Sequence, residues 1–91
     1  MSYEIAYTEV ALEAIKKIPE EERPYFFKGI EVLKENPYHE QSFAIRQDNA
    51  TYRDIGITPK ILITYSINDA LVIVTVVRVI LAPPLLNPEG S

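Results

Sequence analysis

The side chains that could do chemistry in this 91-residue chain are few, and their spacing excludes more than it allows. There is no cysteine, so disulfides, thiolate metal sites and a cysteine nucleophile are excluded. The single histidine, His39, follows Asn36-Pro37-Tyr38 in a loop, so a zinc site built on several histidines is excluded as well. Glu20, Glu21 and Glu22 are consecutive, and three adjacent carboxylates at a helix start cannot converge on one ion; they read as a solvated helix N-terminus. Glycines stand only at 29, 56 and 90, which leaves no glycine-rich phosphate loop. What remains are cations set in β-type sequence. Arg46 and Arg53 read as solvated strand residues, ion-pair partners or phosphate contacts. Arg78 interrupts the apolar run Leu71–Leu81, so it must reach an edge, an acidic partner or a ligand. Tyr3, Tyr7, Tyr52 and Tyr65 are placed like cross-strand packing aromatics.

The charge balance narrows the partners. Thirteen acidic residues face nine basic ones, for a net charge of −4, so a broadly basic nucleic-acid surface is not available. With 47% hydrophobic and 24% charged residues the composition is that of a folded domain. Met1–Tyr7 lacks the basic and long apolar regions of a signal peptide. The most apolar run, at 11 residues, is too short to span a bilayer. The expectation is a cytoplasmic protein with no membrane partner, one domain over residues 1–81 and a proline-rich tail over 82–91. Neither a metal nor a cofactor is expected.

The elements that position these residues follow from periodicity. Tyr3, Ile5 and Tyr7 alternate with polar or small residues, the pattern of a half-buried strand. Thr8 caps a helix to about Ile18, with Ala11, Leu12, Ala14, Ile15 and Ile18 on one arc and an i,i+4 pair between Glu13 and Lys17 on the other. Pro19 stops it. A second helix begins within Glu20–Pro24 and ends at Asn36-Pro37, with Phe26, Gly29, Ile30 and Leu33 inward and Phe27 bordering them. The short turn between the helices predicts a helical hairpin. Strands are expected at Ser42–Gln47, Thr51–Ile57, Lys60–Ile67 and Leu71–Ile80. The turns are Asp48-Asn49-Ala50 and, as a two-residue hairpin signal, Asn68-Asp69. The last strand is apolar on both faces and reads as central or doubly covered. The order β-α-α-β-β-β-β predicts an α+β domain, with two helices on one face of a largely antiparallel sheet of four or five strands. Leu12, Ile15, Ile18, Phe26, Ile30 and Leu33 should meet one row of the last two strands, either Ile61, Ile63, Tyr65 and Ile67 or the alternate row. The rest of the last strand's apolar surface then needs another cover: the tail through Leu81, Leu85 and Leu86, a second subunit or a partner segment.

This ordered set resembles the RelE/ParE superfamily of bacterial toxin–antitoxin toxins. The likeness is carried by Tyr3-x-Ile5-x-Tyr7, a helix with Ala11, Leu12, Ile15 and Ile18-Pro19, and a second helix ending Ile30-x-x-Leu33-x-x-Asn36-Pro37. Tyr52-Arg53, Ile63-Thr64-Tyr65-Ser66-Ile67, a tight turn and Val72-Ile73-Val74-x-x-Val77-x-Val79 complete it. It spans about residues 3–80.

The resemblance implies two helices on an antiparallel sheet, an antitoxin partner and a role of the plasmid-stabilisation kind. It also implies one of two targets: messenger RNA cut in the ribosome, or DNA gyrase poisoned without a nuclease site. It carries Arg53 over as the arginine of the family's Tyr-Arg strand, Arg78 as a basic residue near the end of the last strand, and Lys60 as a substitute in a shifted register. The arginine expected before the Val-Ile-Tyr segment falls on Leu62, and beyond Arg78 no arginine or tyrosine follows. RNA cleavage needs converging cations and a proton donor at one phosphate. The expectation is therefore a toxin-like component acting mainly through protein contacts, as a dimer or with a tight partner. The alternatives are a ribosome-dependent endoribonuclease using Arg53, Arg78 and Lys60, and a non-toxic dimerising or binding domain on the same fold.

Overall fold

Thr8 makes the first decisive local choice. Its hydroxyl accepts from the Ala11 N–H at 3.1 Å and donates to the Val77 carbonyl at 2.8 Å, so one side chain starts a helix and ties it to a distant strand. The computed structural model describes residues 2–47 and 50–82, with 46, 47 and 50 described by backbone alone. Its order is β1 Glu4–Tyr7, α1 Glu9–Lys16, α2 Arg23–Glu35, β2 Phe43–Gln47, β3 Ala50–Thr58, β4 Ile61–Asn68 and β5 Ile73–Leu81. Of the turn predicted at Asp48-Asn49-Ala50, residues 48 and 49 lie outside the described residues, as does the tail from 83 onward, while Ala50 is not turn but the first residue of β3, paired with Gln47.

The strands form one five-stranded sheet in the order β1-β5-β4-β3-β2. Strands β2 to β5 are an antiparallel meander, and β1 joins the outer side of β5 in parallel, Ile5 opposite Val74 and Tyr7 opposite Val76. This is the expected α+β architecture with a largely antiparallel sheet. The strand read as central, β5, is paired along both edges.

Both helices lie on one sheet face, α1 over β5 and α2 over β3 and β1. The core there contains Ala11, Ile18, Phe26, Ile30, Leu33, Ile55, Ile61, Ile63, Tyr65, Val74, Val76 and Val79. Of the two possible rows of β4, the one with Ile61, Ile63, Tyr65 and Ile67 faces the helices. Tyr65 has no exposed surface, and its hydroxyl donates to the Pro37 carbonyl at 2.6 Å, which anchors the end of α2 to the sheet.

Four local readings are corrected. Leu12 is exposed, because it sits at the margin of the helical arc that Ala11 and Ile18 centre. Helix α1 ends at Lys16 with Lys17 as its cap, so Glu13 pairs with Lys16 at 3.2 Å rather than with Lys17. Glu20 and Glu21 precede α2 in a turn, and Arg23 spans the gap by donating to the Ile18 and Lys16 carbonyls. The connection after Asn68 runs over residues 69–72 instead of two residues, and Val72 closes it at φ 57°.

The β4–β5 interface holds a bulge that the alternation of sequence does not reveal. Tyr65 pairs with Val76 but Thr64 pairs with Arg78, so Val77 is an extra residue in β5. Before it, Val74 and Val76 face the helices; after it, Val79 and Leu81 do. Strict alternation would have put Arg78 in the core row. The bulge turns it to the opposite face of the sheet, which is helix-free among the described residues.

Candidate functional site

The three cations suggested by sequence are held apart. Arg53 pairs with Tyr65 across β3 and β4 and so stands on the helix side of the sheet. Its Nε donates to the Ser42 hydroxyl at 2.9 Å, a second guanidinium nitrogen reaches the Ser42 carbonyl at 3.5 Å, and the group lies 5.4 Å from the centre of the Tyr38 ring. Lys60, in the β3–β4 turn, lies 3.7 Å from the Glu22 carboxylate before α2. Arg78 is exposed on the other face, and among the described residues it makes no ion pair. The side chain of Arg46 lies outside the described residues.

Arg53 is the edge of a larger polar cluster. Tyr3 before β1 and Tyr38 after α2 both donate to Asp69 in the β4–β5 connection, at 2.6 and 2.5 Å. The two phenols stabilise the carboxylate and hold the Asp69 pKa below its usual range, Tyr3 contributing most. In return the Asp69 hydrogen bonds push both phenol pKa values up. His39 adds a helical-type turn, its ring Nδ1 accepting from the Gln41 N–H and its carbonyl accepting from the Ser42 hydroxyl. Phenols shifted upward are poor proton donors near neutral pH. The cluster ties together chain segments that are far apart in sequence.

The helix-free face carries a different arrangement. Arg78, Thr64, Asp54 and Phe43 form one row across β5, β4, β3 and β2. Thr64 donates to the Asp54 carboxylate at 2.6 Å. The next row toward the β3–β4 turn is Ile80, Leu62 and Gly56. A hollow of about 220 Å³ opens there between Gly56, Leu62, Ile80 and Ala82. Leu62 thus occupies the central position of this face, where the family resemblance placed an arginine. Asp54 is a site residue the sequence reading missed. Its signal was available: it follows Arg53 directly, and two neighbouring strand residues face opposite sides.

A third feature is an apolar groove of about 540 Å³ on the outer side of α2, between Tyr25, Gly29 and Val32 and the β3–β4 connection at Ile57 and Pro59. Gly29 lets α2 approach closely: a Cβ there would stand 2.2 Å from Ile57 Cγ1. Among the described residues no helix is long and apolar enough to cross a membrane.

No protein-family model matches the sequence, and no curated protein sequence matches it. Solved structures do. The chain is similar to one in the toxin–antitoxin complex RelBE2 from Mycobacterium tuberculosis, with TM-score 0.77 and 18% identity over 89% of this chain and 99% of that one. It is similar to a chain of the archaeal RelE–RelB complex from Pyrococcus horikoshii, with TM-score 0.75 and 12% identity over 89% and 96%. It is similar also to the YoeB/ParE toxin from Agrobacterium tumefaciens, with TM-score 0.71 and 13% identity over 88% and 99%. The two-helix layer, the antiparallel meander and the parallel first strand are therefore the fold of the RelE/ParE-like toxins, carried by a sequence only 12–18% identical to these three.

Proposed function

We propose that the protein is the toxin-like component of a type II toxin–antitoxin pair, restrained by an antitoxin and acting mainly through protein contacts rather than by cutting RNA. The observation that carries this reading is the row on the helix-free face. A phosphate approaching Arg78 finds an anion, Asp54, two strands away in the same row, its carboxylate fixed by Thr64. No second cation joins Arg78 among the described residues, because Arg53 serves Ser42 and Tyr38 on the other face and Lys60 serves Glu22. A phosphoryl-transfer site needs several cations converging on one phosphate, with a base and a proton donor within hydrogen-bond reach of it. The acidic net charge works against ribosome binding in the same way. Exposed apolar side chains at Tyr25, Val32 and Phe43 suit protein contacts. The similar chains from RelBE2 and RelE–RelB come from toxin–antitoxin complexes, which supports an antitoxin partner.

The test is induced expression in a bacterial host, with messenger RNA mapped during any growth arrest and with the product of the neighbouring small gene co-expressed. Growth arrest relieved by co-expression, without codon-specific cleavage, is the expected result. It leaves DNA gyrase or a non-nucleolytic ribosome contact as the target, which a supercoiling assay separates. The exposure of Arg78 favours the second reading, a ribosome-dependent endoribonuclease. Robust cleavage in a translating extract, lost in Arg78→Ala, would put that reading first. Normal growth would leave a non-toxic binding domain.

A further inference from the structure

The helix-free face has a charge pattern that is complementary to itself. Its row runs from a cation, Arg78 on β5, through Thr64 on β4, to an anion, Asp54 on β3. Neighbouring strands stand about 4.8 Å apart, so the two charges lie roughly 10 Å apart with Thr64 midway. We propose that this face is the interface of a homodimer, in which two sheets pack face to face about a two-fold axis lying along β4 above Thr64.

The geometry of that axis follows from the row. Rotation about a line parallel to β4 reverses the row and turns it over. Arg78 of one copy then stands above Asp54 of the other, twice in each dimer. The alternative axis, lying along the row, stacks Arg78 on Arg78 and Asp54 on Asp54, which like-charge repulsion disfavours. The charges thus select one of the two ways of stacking the sheets. The strands of the two copies run in nearly the same direction, as aligned sheet packing requires.

Shape agrees with charge on the adjoining row. The same axis sets Ile80 of one copy over Gly56 of the other, and Leu62 over Leu62. Ile80 is 43% exposed. Gly56 has no side chain, and the space above it is open: the nearest atom to a Cβ there is the Thr58 carbonyl oxygen at 3.8 Å. The hollow at Gly56, Leu62 and Ile80 is where the partner's Ile80 enters. A large residue opposite an absent one is the complementarity that an isologous interface needs. Arg78 is exposed in the single chain; stacking takes it out of solvent, and Asp54 of the second copy supplies the acidic partner that a buried cation needs. The inference rests on the sheet and its register, and it holds whether or not the protein is toxic.

Charge reversal provides the test, by sedimentation velocity of the full chain over a range of concentrations. Wild type should be a dimer. Arg78→Asp and Asp54→Arg, each alone, place like charges at both contacts and should weaken association at least about 100-fold, tenfold for each contact. An equimolar mixture of the two variants restores both contacts. It should form a heterodimer within about tenfold of the wild-type affinity, and this recovery also shows that both variants are folded. A strictly monomeric wild type overturns the proposal. So do single variants that dimerise like wild type, or a mixture that stays monomeric while each variant keeps its native circular dichroism. A wild-type monomer that dimerises only when residues 83–91 are removed assigns the face to the tail and overturns it too.

Discussion

At the scale of single residues, Asp69 is the hub that joins three segments far apart in sequence. Its pKa lies below the ordinary carboxylate value, so the unfolded chain takes up a proton at a higher pH than the folded one. Its contribution to stability is complete above the unfolded value, near pH 4, and is lost as pH falls through the folded value. Asp69→Asn should therefore flatten the acid limb of a plot of melting temperature against pH, and the test is calorimetry from pH 2 to 7. The phenols of Tyr3 and Tyr38 act in the other direction, contributing below about pH 10 and losing that contribution as pH rises through their raised values. Arg53, suggested by sequence as a phosphate contact, is bound up with Ser42 and Tyr38. Arg53→Ala should lower stability by about 1–2 kcal/mol in urea titration, from its lost charged hydrogen bonds. Val72 is a β-branched residue at φ 57°, a region that costs such side chains of order 1–3 kcal/mol. Val72→Gly should raise stability by about 0.5–1 kcal/mol once glycine's extra chain entropy is deducted, which the same titration reads. None of this cluster was legible beforehand. Tyr3, Tyr38 and Asp69 are 31 to 66 residues apart, and no spacing rule links them.

Helices and strands were far more legible, because each repeats one choice many times. Phe26, Ile30 and Leu33 were expected inward on helical spacing and are all buried. Ile30→Ala or Leu33→Ala should cost about 2–5 kcal/mol, and an unchanged melting temperature in either would contradict the packing described. Gly29 marks where α2 presses on Ile57. In an exposed helix, alanine there would gain about 1 kcal/mol of propensity. Here the β-branched Ile57 must be displaced, so Gly29→Ala should be destabilising by about 1–2 kcal/mol. Combining it with Ile57→Ala should reverse the sign, which a double-mutant cycle detects. The element that periodicity misread is β5. Its residues are apolar on both faces, so nothing in their order shows where alternation changes phase at Val77. Deleting Val77 should drive Arg78 into the core row and leave the chain insoluble or unfolded by circular dichroism, whereas Val77→Ala keeps the count and should fold.

For the whole molecule, the sheet topology sets the scale on which everything else operates. Order β2 to β5 was readable from successive turn signals, but the partner of β1 was not, because a four-residue strand carries no mark of which edge it joins. That partner is β5, and Glu4 meets Ile73, 69 positions further along the sequence. The pairing has a consequence in time. During synthesis β1 and both helices emerge first, yet the strand that β1 pairs with and that α1 packs on is made last of the described elements. The hairpins from β2 to β5 close over short loops, whereas the β1–β5 contact closes nearly the full chain and must be the late step. Weakening β1 should then act after the folding barrier. Ile5→Ala should speed unfolding by the full equilibrium loss while leaving the folding rate nearly unchanged, and stopped-flow chevrons measure both limbs. A ribosome carrying this chain therefore holds an incomplete sheet until β5 has cleared the exit tunnel, and no finished surface, whether for a second copy or for any target, exists on the nascent protein before then.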